Sequence, residues 1–77
     1  MDLVSENIEE ARRLMTAGDD RRAADLLTLA ASECHDPAAA ALIHGLAIQG
    51  QERAGRFTRK RWDEAIRVSK LRLSEVN

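Results

Sequence analysis

GDDRRAADLLTLAASECHDP, residues Gly18–Pro37, is the stretch whose reading decides the fold. It opens with a glycine and two aspartates and closes on an Asp-Pro pair. Between them Ala23, Leu27, Ala30 and Cys34 fall on one line at helical spacing, and Leu26 and Leu29 on another. A helix apolar over more than half its circumference is a central one, gripped on two sides. Its alanines mark places where neighbouring helices come close. Asp19 or Asp20 serves as N-cap, with Arg21, Arg22, Asp25, Thr28 and Ser32 on the wetter arc.

Working outward, Leu3–Ala17 reads as a helix, with Ile8, Ala11 and Met15 as its inner line and Val4 and Leu14 beside it. Ser5 is the expected cap if the first residues fray. Gly18 stops the helix by entering the left-handed conformation at no steric cost. The short connection then forces an antiparallel hairpin with Asp20–Glu33. Asp36-Pro37 is a start signal for a third helix to about Arg53, because proline at the first helical position misses no N–H. Its apolar face is Leu42, Ile43, Leu46, Ala47 and Ala54, with Ile48 on the flank, and Gly45 and Gly50 are expected to permit a close crossing. Ala54-Gly55-Arg56-Phe57 makes a turn in which Phe57 acts as a plug, and Thr58 caps a fourth helix over Arg59–Glu75. Trp62, Ala65, Ile66, Ser69, Leu73 and Val76 form its inner line, whereas Val68 and Leu71 lie off it. With Leu3 and Ile48 they are candidates for an apolar patch that another chain covers. The expected fold is all-α over residues 1–77 as a single domain, four short helices in two antiparallel hairpins, either repeat-like or a small orthogonal bundle.

The spacing of Ala11, Gly18, Ala23, Leu27 and Ala30 resembles the tetratricopeptide repeat, a two-helix unit. Ala11 and Leu14 stand at its small and large positions on the first helix, Gly18-Asp19 at its turn, and Ala23, Leu27 and Ala30 on its second helix. The closing proline, Pro37, arrives two residues late, and Asn7 and Glu10 replace an aromatic and an apolar residue. A second, poorer echo begins at Trp62-Asp63-Glu64-Ala65. The resemblance implies a peptide- or protein-binding scaffold without chemistry. Solenoids need about three repeats for stability, so a homo-oligomer is the natural remedy for two.

A net charge of −1 over 77 residues conceals an asymmetry. Residues 1–36 hold nine acids against four arginines and residues 37–77 eight bases against four acids, a net −5 against +4. Opposed charge favours head-to-tail or antiparallel contacts, unless these are simply solvated helix faces. The basic residues concentrate in RAGRFTRKRW, where Arg53, Arg56, Arg59, Lys60 and Arg61 flank Phe57 and Trp62. Arginines beside aromatics suit an acidic protein surface, and they also suit a nucleic acid, with phosphates held by charge and bases by stacking. The near-neutral whole argues for the protein partner. The expected contact residues are Arg53, Arg56, Arg59, Lys60 and Arg61 for charge steering, with Val68 and Leu71 for buried area.

Little else suggests chemistry. Cys34 continues the inner line of its helix and reads as a small buried filler. Neighbours on a helix point about 100° apart, so Cys34 and His35 form no dyad. No metal-ligand spacing links Cys34, His35, Asp36 and His44, and no phosphate loop is present. The chain is expected to be non-enzymatic, without cofactor or metal. One cysteine, an acidic start and no run near the roughly 20 apolar residues of a membrane span give the expectation of a cytoplasmic protein.

Overall fold

Each helix begins and ends where a cap demands it. The computed structural model describes residues 2–75. Its elements are α1 (Leu3–Ala17), α2 (Asp20–Glu33), α3 (Pro37–Arg53) and α4 (Arg59–Glu75). Val76, expected on the inner line of α4, lies outside the described residues. Asp2, not Ser5, caps α1: its carboxylate accepts from the N–H of Val4 at 2.6 Å and of Ser5 at 3.2 Å. Gly18 adopts φ 86°. It donates to Met15 O while Asp19 N–H donates to Leu14 O at 2.8 Å, which closes α1 with a complete Schellman motif. Asp19 caps α2, accepting from Arg22 N–H. Asp36 caps α3, accepting from Ala38 N–H, with Pro37 in the first turn. Thr58 leads into α4 through its carbonyl, which accepts from the N–H of Arg61 and Trp62.

The helices form two antiparallel hairpins, α1–α2 and α3–α4, and α2 packs against all three others. Ala23, Ala24, Leu27, Ala30 and Ala31 are fully buried, so α2 is the inner helix its two apolar lines predicted. The hairpins meet chiefly through α2 and α4, which run parallel. Near their starts Arg61 Nη1 donates to both oxygens of Asp25, at 2.8 and 2.9 Å. Near their ends Arg72 Nε donates to Ala31 O at 3.0 Å and its Nη2 to Ser32 O at 2.6 Å. Arg72 thus supplies a donor to Ser32 O in the last turn of α2 and a second one to Ala31 O, which already accepts from Cys34 N–H at 3.3 Å.

The second hairpin closes around one large side chain. Trp62 is 0% exposed. It lies flat on Gly50 of α3, where any Cβ would overlap the indole ring. Gly50 therefore permits the close crossing expected of it. Gly45 does not, since nothing lies near the place its Cβ would take. The indole N–H of Trp62 is buried without a partner among the described residues, a cost of about 1–3 kcal/mol that the packing of the ring must exceed.

Two apolar expectations fail. Leu42 is 44% exposed and Leu29 48%. Both lie on helices with more apolar residues than the neighbouring helices can cover.

Candidate functional site, a basic aromatic tip

The parallel pairing of α1 with α3 and of α2 with α4 gives the molecule two unlike ends. At one end meet the C-termini of α1 and α3 and the N-termini of α2 and α4. Arg12, Met15 and Thr16 of α1 there face Leu46, Gln49 and Arg53 of α3 across an open groove of about 470 Å³. Beside it the α3–α4 turn carries Phe57, which is 90% exposed. Arg53, Arg56, Arg59 and Lys60 surround that ring in sequence, and all four are exposed. Among the described residues none of the four takes part in an ion pair. Phe57 does not plug the turn. It stands in solvent in the α3–α4 turn, at an end that also carries the acids Glu52, Asp63, Asp19 and Asp20.

Of the seven residues expected at a contact site, Arg56 and Arg59 lie in or beside the turn with Phe57, Arg53 lines the α1–α3 groove with Glu52, and Lys60 lines a depression between α2 and α4 with Asp25 and Glu64. Arg61 departs, because it is held by Asp25 as a strut between the hairpins. Val68 is half-buried and packs against the core. Leu71 is 51% exposed. It lies twelve residues beyond Arg59 on α4, roughly 18 Å along the axis at the helical rise, so it is not part of the tip. The patch proposed to unite Leu3 and Ile48 with Val68 and Leu71 does not form either, since α1 and α4 do not pack together.

At the opposite end a crevice of about 350 Å³ opens between the starts of α1 and α3 and the end of α2. Val4, Cys34 and Ala39 give it apolar walls, and Asp2, Glu33 and Asp36 stand on its rim with Ser5 and His35. Cys34 is buried and its thiol donates to Asp36 O at 3.1 Å.

One polar pair escaped the sequence reading. His44 Nδ1 lies 3.1 Å from Ser69 Oγ, and Ser69 Oγ donates to Ile66 O at 3.0 Å. The hydroxyl can donate to only one of these two neighbours, so the tautomer of His44 sets which of the pair donates. Ser69 is 0% exposed. The pair links α3 to α4 inside the second hairpin. The 25-residue separation left no local signal for it.

Gln51 Nε2 donates to Asp63 across the same interface. Glu64 and Arg67 form an exposed ion pair on the outer face of α4. The Arg67 guanidinium, by hydrogen bond first and by charge second, holds the Glu64 carboxyl below its ordinary range, and Glu64 raises Arg67 in return. Among the described residues no three His, Cys, Asp or Glu side chains come together as a metal site. No helix there is long and apolar enough to cross a membrane.

The class the fold defines is a small all-α domain of two stacked helical hairpins. Compared with known protein families, curated proteins and solved structures, the chain matches none.

Proposed function

We propose that this domain is a non-catalytic interaction module, an adaptor or regulatory partner that docks an acidic protein surface through its α3–α4 tip. The observation that carries the reading is Phe57, 90% exposed between Arg56 and Arg59, which take part in no ion pair among the described residues. An aromatic ring in that position offers about 150–250 Å² of burial. Arginines around it add steering and bidentate contacts to carboxylates. The tetratricopeptide-like reading is supported by Ala11, Ala23, Leu27 and Ala30, which are all fully buried between helices. A scaffold of that kind works by presenting surface, and no step of chemistry is proposed for it. We place it in the cytoplasm.

The test compares proteins retained from a lysate of the native host by wild type and by the Phe57→Ala/Arg56→Glu variant, quantified by mass spectrometry. A partner that wild type enriches and the variant loses is expected. Equal retention by both overturns the tip as the docking site. The same ring and bases also favour a second reading, a nucleic-acid contact by stacking and phosphate binding. Fluorescence anisotropy with mixed-sequence DNA separates the two. Binding that weakens steeply with salt selects the nucleic acid, and no binding at low salt leaves the protein partner.

A further inference from the structure

We infer that the acidic surface met by the Phe57 tip is the crevice at the far end of a second copy, so that the chain assembles head to tail. The inference rests on the docking reading of the tip and names its occupant.

The two ends are complementary in both shape and charge. The tip is a single projecting ring in a turn with Arg56 and Arg59, and Arg53 and Lys60 are exposed on the helices that flank it. The crevice has apolar walls from Val4, Cys34 and Ala39 and a rim bearing Asp2, Glu33 and Asp36. Its volume of about 350 Å³ exceeds what one phenyl ring fills. Among the described residues none of the three rim acids forms an ion pair, just as none of the tip's bases does. Glu33 is the rim acid with no partner among the described residues, while Asp2 and Asp36 carry their charge with one oxygen engaged in capping α1 and α3. Knob and hole lie at opposite ends of a molecule whose longest dimension is 33 Å, too far apart for one copy to fill its own crevice. Contact between unlike surfaces of identical chains is heterologous, and it propagates into a filament or closes into a ring of more than two copies.

The experiment measures mass by light scattering and sedimentation over a concentration series at low salt. Wild type should grow past two copies with concentration and return to monomer in about 1 M salt, where the Debye length is about 3 Å. Two variants each spoil one end. Phe57→Ala removes the knob and keeps the crevice. Glu33→Arg reverses the one rim acid that caps no helix and keeps the knob. Each alone should remain monomeric with wild-type helicity, and an equimolar mixture should form one-to-one pairs and nothing longer, because every pair has used its only two good ends. Wild type that is monomeric at all concentrations overturns the proposal. So does a mass that levels off at two copies, or a mixture that stays monomeric while wild type assembles. If wild type is monomeric but the tip variant still loses a host protein, the head-to-tail inference falls and the docking reading stands.

Discussion

Trp62 and Phe57 lie five residues apart in the same basic run, yet one is 0% exposed and the other 90%. Their neighbours divide the same way. Arg61 is bound to Asp25 and, farther along α4, Arg72 to the end of α2, whereas Arg56 and Arg59 hold nothing among the described residues. The difference teaches that composition does not assign a basic aromatic stretch to core or surface. Position on a helix does. Trp62 sits in α4 at a phase that turns it toward Gly50, and Arg61 and Arg72 sit at phases that turn them toward α2. Phe57 and Arg56 are in the turn, where no helical period directs a side chain inward.

Substitutions can break this division, and Trp62 should show the largest effect. Trp62→Ala should cost about 3–5 kcal/mol, enough to leave a domain of this size largely unfolded. Thermal melts by circular dichroism would show it, and a transition within a few degrees of wild type would contradict the assignment of Trp62 to the core. Trp62→Phe should lose much less, since it keeps most of the ring and drops an indole N–H that has no acceptor.

Gly50→Ala comes next. The added methyl overlaps the indole, so overpacking of about 1–3 kcal/mol should outweigh the gain of about 1 kcal/mol in helix propensity. Gly45→Ala is the control. With open space at that site it should stabilise by up to about 1 kcal/mol. Equal effects of the two alanines in denaturant titrations would remove the case for a close α3–α4 crossing.

Arg72→Met keeps the stem of the side chain but gives up the donors to Ala31 and Ser32. It should cost about 1.5–3 kcal/mol, the range for hydrogen bonds made by a charged group, and toward the low end because water can reach Ser32. Phe57→Ala should change stability by less than about 0.5 kcal/mol while removing association, which is the sharpest contrast with Trp62.

The smallest effect concerns Glu64. Arg67 depresses its folded-state pKa. Its contribution is therefore present above the ordinary carboxylate value and is lost as pH falls through the depressed one. Both side chains are exposed, so the dependence should be shallow and vanish in salt. Melting temperature against pH should lose this acid limb in Glu64→Gln. An identical profile in that variant would show that the pair contributes nothing measurable.

The fold was largely legible in the sequence. Gly18, Asp19 and Asp36-Pro37 punctuate the chain with residues whose backbone preferences and capping chemistry act locally, and the lines through Ala11, Leu27, Ile43 and Trp62 mark the buried faces. A frayed first turn makes Ser5 the expected cap, and Asp2 takes that place instead. Its short bond to Val4 N–H shows the helix starting earlier.

The site was legible only in part. Arg53, Arg56, Arg59 and Lys60 are legible as an exposed basic run because they are neighbours in the chain around a turn. Arg61 and Val68 make contacts that their place in the chain does not announce, with Asp25 on α2 for Arg61 and the core for Val68. Phe57 was placed inside the turn because the sequence offers no phase there.

The sequence by itself determined where each helix starts and stops and which stripe of each is apolar, since caps, glycine and helical period act within a few residues. Only the tertiary structure decided that the turn bearing Phe57 and the crevice rimmed by Asp2, Glu33 and Asp36 lie at opposite ends. That outcome depends on which helices run parallel, and helix direction is fixed by packing between residues far apart in the chain.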